Sequence, residues 1–227
     1  MKENIEILIP TFNEEGNIEK TIKDLKNNGY NFITILDAQS DDNTTSIAKN
    51  LGCKIIVDEN KKMGFGHSVI NGINNSDKKY CCIFDGDGSF DSNSISLMSK
   101  ELTEGSDFVF CSRYLGGKKS DDDTVITEIG NFFFTKLIRI FFKFNITDAL
   151  FLYCISETEK FKKLKLTSND FRICTEILIK AYKSFSCKEI FSKERKREYG
   201  TSKVNKISDG LKLLQNIFIL YFKYLIK

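Results

Sequence analysis

Short apolar runs alternate with longer polar stretches through the first half of the chain. IEILIP (5–10), FITILD (32–37), CKIIVD (53–58), YCCIFD (80–85) and DFVFCS (107–112) are rich in Ile, Val and Phe and close on or beside a polar or acidic residue. Runs of this length and composition predict buried strands. The stretches 16–28, 41–51, 66–75 and 93–104 between them carry helix-compatible patterns. Strands separated by helices predict βαβ units and a mostly parallel α/β sheet flanked by helices.

The second half has a different rhythm. Residues 115–128, with GGKKSDDDTVIT inside them, predict a polar loop, and NFFFTKLIRIFFKFNI follows. Six of the 20 Phe fall between 131 and 144. A helical pattern at 168–185, the short strand CKEIF, the basic loop KERKREYGTSK and a last helix from about 203 to 226 complete the chain. No internal repeat or linker divides it, so the expectation is one domain over 1–205 with a C-terminal amphipathic helix over 206–227.

Composition narrows the class. The chain has 227 residues, 12% aromatic, which excludes disorder, and one Pro with 14 Gly, which excludes collagen-like sequence. A net charge of +3 gives no field for nucleic acid, and no such partner is expected. The seven cysteines form no CxxC pair, and five lie in or beside apolar runs, as small buried hydrophobes of a reducing compartment do. The N-terminal MKENIEILIPTFNEE lacks the apolar core of a secretory leader, so a cytoplasmic location is expected. No run of about 18 apolar residues spans a bilayer.

Polar residues collect at the predicted strand ends, where open α/β sheets bind ligands. In FDGDGSFD (84–91) an apolar strand delivers Asp85 and Asp87 one residue apart, a spacing that lets two carboxylates converge on a hard cation such as Mg²⁺ or Mn²⁺. A Ca²⁺ loop or a plain turn is the competing reading. IPTFNEE (9–15) closes the first strand on the only proline, and its acids also suit a helix N-terminus. LDAQSDDNT (36–44) places Asp37 where a ribose or base is commonly bound, and no phosphate-binding glycine motif precedes it. His67, the only histidine, follows Gly64 and Gly66 and is assigned no catalytic role.

Together with CSRY, ITDAL and REYGTSK, these segments resemble in order and spacing the inverting family 2 glycosyltransferases of the GT-A (Rossmann-like) fold. The nearest resemblance is to dolichyl- or polyprenyl-phosphate sugar transferases of the dolichol-phosphate mannosyltransferase type. The match runs from residue 5 to about 210. It implies a GDP- or UDP-sugar donor in a pocket of Pro10, Thr11, Asn13, Glu14 and Asp37, with Asp85 and Asp87 on the metal. It implies phosphate binding by Arg113, Arg197, Ser202 and Lys203, and Asp148 as an acid near the acceptor. Catalysis would then rest on Asp87, Asp148 and Arg113. Ala38 stands where the family has a second Asp, and ALFLYC follows ITD where many relatives have a Gly-rich segment.

The resemblance leaves the acceptor as a lipid phosphate or as the hydroxyl of a sugar or glycolipid. A non-catalytic nucleotide- or membrane-binding subunit is the reading from another class. In 131–144 read as a helix, Lys136, Arg139 and Lys143 form one basic stripe beside a wide aromatic face. With the terminal IFILYFKYLIK this suits a peripheral membrane protein on the inner face of the cell membrane, or one meeting a membrane-embedded partner. A core helix with snorkelling lysines is the alternative.

Overall fold

The computed structural model describes residues 1–59, 63–200 and 206–225. Seven strands form one sheet: β1 (Ile5–Thr11), β2 (Ile33–Asp37), β3 (Lys54–Val57), β4 (Tyr80–Ile83), β5 (Phe108–Ser112), β6 (Cys154–Glu157) and β7 (Cys187–Phe191). Their order is β3-β2-β1-β4-β6-β5-β7. β6 alone runs antiparallel, pairing Cys82 with Ile155 on one side and Val109 with Ile155 on the other. β1, β2 and β5 are buried along their whole length, as continuous apolar runs require when helices cover both faces.

Helices α1 (Ile18–Asn27), α2 (Thr44–Asn50), α3 (Phe65–Asn74) and α4 (Ser94–Thr103) fall where the pattern places them. The second half departs from the pattern in two places. The helix expected at 131–144 is α5 (Val125–Phe142), which starts inside the expected loop because Thr124 caps it, its side chain accepting from the Thr127 amide. β6 begins at the last residue of ALFLYC, where no strand is expected from the pattern, and the short α6 (Thr158–Lys163) follows it.

The C-terminal α7 (Arg172–Ser184) and α8 (Lys206–Leu225) close the molecule, α8 lying against α5 and α7. Leu213, Ile217 and Leu220 of α8 join the core on the α5 side of the sheet, together with Phe134, Ile138 and Phe142 of α5. At roughly 1.5–3 kcal/mol per buried aliphatic or aromatic side chain, these contacts hold both helices to the sheet. Their other faces are open: Ile126, Ile129, Phe132, Phe133 and Ile140 on α5, and Ile207, Leu211, Ile219 and Phe222 on α8, are exposed. Lys136, Arg139 and Lys143 are exposed beside them. No helix among the described residues is long and apolar enough to cross a membrane.

Candidate active site

The carboxyl ends of β1, β2 and β4 meet at one edge of the sheet. The turns after β1 and β2 are knitted together: the Asn13 amide donates to Ser40 Oγ at 2.9 Å, the Glu14 amide to Thr44 Oγ1 at 2.8 Å, and the Asp41 amide to Asn13 Oδ1 at 2.8 Å. Asn13 and Gln39 adopt left-handed backbone conformations, with φ of 56° and 59°, a region that Asn enters readily and Gln rarely. Buried Asp37 accepts from the Ser40 amide (2.9 Å), Ser40 Oγ (2.5 Å) and Thr11 Oγ1 (3.3 Å). Pro10 and Thr11 lie in the buried end of β1. The five residues expected to line a nucleotide pocket therefore share one rigid edge.

Asp85 and Asp87 follow β4. The Asp87 amide donates to Asp85 Oδ1 at 3.2 Å and the Ser89 amide to Asp87 Oδ1 at 2.9 Å, so the loop is held by its own carboxylates. A Cβ on Gly86 would come within 3.1 Å of Thr11 Cγ2, which explains a residue without a side chain between the two acids. Burial, together with the charge of Asp87 and against the charge of Arg197, pushes the Asp85 carboxyl well above the usual carboxylate range. Two acids one residue apart, offering hard oxygen donors only, fit a divalent cation. Among the described residues no group of three or more His, Cys, Asp or Glu is placed to hold a metal ion. The remaining ligands would come from diphosphate and water, as is usual for Mg²⁺.

Arg113 follows β5 and is 8% exposed. Its guanidinium donates in a fork to Asp148, Nε to Oδ2 at 2.7 Å and Nη2 to Oδ1 at 3.0 Å, and through Nη1 to Glu194 Oε2 at 3.2 Å. Asp123 lies 3.6 Å from Nη1, and the ring of Phe151 lies 4.8 Å from the guanidinium carbon. Asp148 is 2% exposed, and its turn is fixed by Glu189, which accepts from the Thr147 amide and hydroxyl at 2.8 Å. The structure thus brings Arg113 and Asp148 together, as partners of each other. Arg197 reaches the acidic loop instead, with Nη2 2.5 Å from Asp87 Oδ2. Ser202 and Lys203 lie outside the described residues.

Glu194 and Asp123 did not emerge from the sequence reading. Glu194 stands just past β7, so the rule that singled out the acids after β1, β2 and β4 also points to it. Burial, against the charge of Arg113, raises its carboxyl above the ordinary value of 4.5. The folded protein therefore holds this proton more tightly than the unfolded chain, which adds stability below pH ~4.5 that is lost as pH rises through the raised folded value. Glu194→Gln removes that dependence. In metal-free urea denaturation, the stability difference is expected to move in favour of the variant between about pH 4 and about pH 8. A difference that stays constant across this range would contradict the assignment.

A cavity of about 420 Å³ opens between these groups. Asp85, Asp122, Asp123, Glu194, Asp209, Arg113 and Arg197 give it a charged lining, and Phe90, Phe134, Leu150, Phe151 and Leu213 an apolar one. It lies between the end of β4, the first turns of α5 and the start of α8. Asp148 is not part of its lining. His67, against which no role was set, lies with Nε2 4.0 Å from Asp58 Oδ1 at the end of β3.

Residues 6–164 match the model of Glycosyl transferase family 2. An uncharacterised protein of Methanocaldococcus jannaschii is 30% identical over 94% of this chain and 90% of its own length. A UDP-N-acetylglucosamine–dolichyl-phosphate N-acetylglucosaminyltransferase of Methanococcus voltae is 24% identical over 95% of both chains. Among solved structures, glucosyl-3-phosphoglycerate synthase of Mycobacterium tuberculosis, in complex with Mn²⁺, UDP-glucose and phosphoglyceric acid, has a TM-score of 0.75 at 14% identity. That likeness covers 96% of this chain and 79% of that one and shows the GT-A fold.

Proposed function

Since the chain belongs to glycosyl transferase family 2, we propose that it moves a sugar with inversion from a nucleotide sugar to a polyprenyl- or dolichyl-phosphate lipid, on the inner face of the cell membrane. The observation that carries this reading is the cavity lined both by charged side chains, Asp85, Arg113, Glu194 and Arg197 among them, and by aromatic and aliphatic ones. Such a cavity suits an acceptor with a charged head and an apolar tail. It lies beneath helices whose outer faces are apolar and, on α5, edged by bases. The dolichyl-phosphate substrate in the name of the Methanococcus relative supports the lipid acceptor, and the UDP-glucose and Mn²⁺ of the solved neighbour support the donor and metal.

Asp85 and Asp87 would hold Mg²⁺ or Mn²⁺. When bound, the ion supplies charge neutralisation for the departing diphosphate. The turns carrying Asn13, Glu14 and Asp37 hold the nucleoside, and Arg197 faces the phosphates as a planar cation. The apolar walls exclude water from the sugar carbon. The acceptor phosphate, already anionic, attacks from the face opposite the leaving group and needs no general base.

A second reading rests on Arg113. Its charge is spent on Asp148, Glu194 and Asp123, so it is no ready phosphate clamp. Among the described lining residues, acids outnumber bases: Asp85, Asp122, Asp123, Glu194 and Asp209 against Arg113 and Arg197. A hydroxyl acceptor in surface polysaccharide synthesis would suit that surplus, and Glu194, which lines the cavity, is better placed than Asp148 to take its proton. Incubation with UDP- and GDP-sugars, Mn²⁺ and either a polyprenyl phosphate or a glycolipid lacking a phosphomonoester separates the two. Label is expected in the lipid phosphate; label only in the glycolipid would favour the second reading.

Membrane attachment is the companion expectation. Phe132, Phe133 and Ile140 would enter the acyl boundary, and Lys136, Arg139 and Lys143 would meet anionic head groups at roughly 1 kcal/mol for each charge. In flotation assays the protein should rise with anionic liposomes at low salt and less at high salt, because charge is screened. Changing the three bases to Gln should release most of it. Protein that stays at the bottom of the gradient under every condition would leave these faces to another protein, including a membrane-embedded subunit.

A further inference from the structure

We propose that Arg197 holds the metal's place on Asp87 in the metal-free protein and yields it when cation and diphosphate arrive, so that the two bind as a coupled pair. The inference rests on the reading of Asp85 and Asp87 as metal ligands.

Asp87 is buried, and its two oxygens are used differently. Oδ1 accepts from the Ser89 amide at 2.9 Å and shapes the turn. Oδ2 faces Arg197, 2.5 Å from Nη2. A divalent cation on an oxygen in so close an ion pair would sit beside a second positive centre, so cation entry favours departure of the guanidinium.

The surroundings allow it to leave without unfolding anything. The segment carrying Arg197 is strapped across both donor-side loops by its neighbours. The Arg195 amide donates to Ser89 O at 2.8 Å, and Arg195 Nη2 pairs with Asp91 Oδ1 at 3.0 Å. Glu198 pairs with Lys20, and Tyr199 O accepts from Asn17 Nδ2 at 3.2 Å. The Arg197 amide itself donates to Asp122 Oδ1 at 3.1 Å. With the backbone pinned on either side, side-chain rotation alone carries the guanidinium off Asp87, and that side chain already lines the cavity.

The displaced guanidinium is then beside the donor's phosphates, whose geometry matches its planar fork. Cation alone displaces Arg197 without giving it a new partner, whereas cation with nucleoside diphosphate supplies one. Each ligand therefore raises the affinity for the other, by the same factor in both directions.

Titration with MnCl₂, followed by electron paramagnetic resonance, and with UDP, followed by calorimetry, tests this on wild type, Arg197→Gln and Arg197→Lys. Arg197→Gln is expected to bind Mn²⁺ alone about ten-fold more tightly, and UDP at saturating Mn²⁺ about ten-fold more weakly. Arg197→Lys, with charge but no fork, is expected to fall between, and it carries the test should the Gln variant fail to fold. A merely structural arginine would weaken both affinities on removal. Mn²⁺ binding of equal strength in all three proteins, or weaker in the variants, overturns the proposal alone. UDP binding without any Mn²⁺ binding overturns the metal reading as well.

Discussion

Replacing Asp87 by Asn is expected to lower sugar transfer about 1,000-fold, equivalent to roughly 4 kcal/mol in the barrier, while leaving the protein folded. Asn retains an amide oxygen that accepts from the Ser89 amide, so the turn after β4 survives. It removes the negative charge, and with it a hard anionic ligand for the cation that would neutralise the leaving diphosphate. The loss is expected chiefly in the rate at saturating donor and metal, because on the proposed reading the turns after β1 and β2, which Asp87→Asn leaves intact, would hold the nucleoside. Nucleoside diphosphate release measured across a Mn²⁺ series, with a thermal melt on the same sample, checks it. A variant with activity within ten-fold of wild type would remove Asp87 from the metal site.

Arg113→Met is expected to cost about 3–5 kcal/mol of stability, the range seen when one partner of a buried ion pair is removed. Asp148 and Glu194 would be left with their carboxylates buried and their shared cation gone. Arg113→Lys should recover only part of the loss, because an ammonium cannot bridge both oxygens of Asp148 and still reach Glu194. Arg113→Met combined with Asp148→Asn should be less damaging than the sum of the two single changes, since the pair is removed together. Urea denaturation of the four variants measures this. A loss below about 1 kcal/mol for Arg113→Met would place Arg113 among exposed pairs of little consequence and free it to bind phosphate.

These two residues also mark what could be read from the amino acids. Asp85 and Asp87 are local: an apolar strand, two acids and two glycines stand in nine consecutive residues, 80–88, and the strand ends place them at the sheet edge. CSRY is equally legible as a segment. The neutralisation of Arg113 is not, because its partners Asp148 and Glu194 come from 35 and 81 residues away. β6 was missed for a related reason. Its antiparallel insertion between β4 and β5 is a long-range pairing, and Cys154–Glu157 follows an apolar run with no turn signal to separate them. The start of α5 lies six residues before the expected one: Val125, Ile126 and Thr127 are β-branched, and what overrides their preference is a capping box of two reciprocal side-chain bonds between Thr124 and Thr127. Helix α5 itself divides its aromatics: Phe134 and Phe142 are core, whereas Phe132 and Phe133 are exposed. The core reading of that segment thus describes only part of it.

The acceptor is the centre of the account, and ³¹P nuclear magnetic resonance of the reaction mixture tests it most directly. With a nucleotide sugar, Mn²⁺ and a short polyprenyl phosphate, the phosphomonoester signal of the lipid should disappear as a phosphodiester signal grows, in step with release of nucleoside diphosphate. The sugar carbon in that diester should carry the anomeric configuration opposite to the donor's. Nucleoside diphosphate accumulating while the lipid phosphomonoester signal stays unchanged, with the sugar recovered on a hydroxyl, would contradict the account.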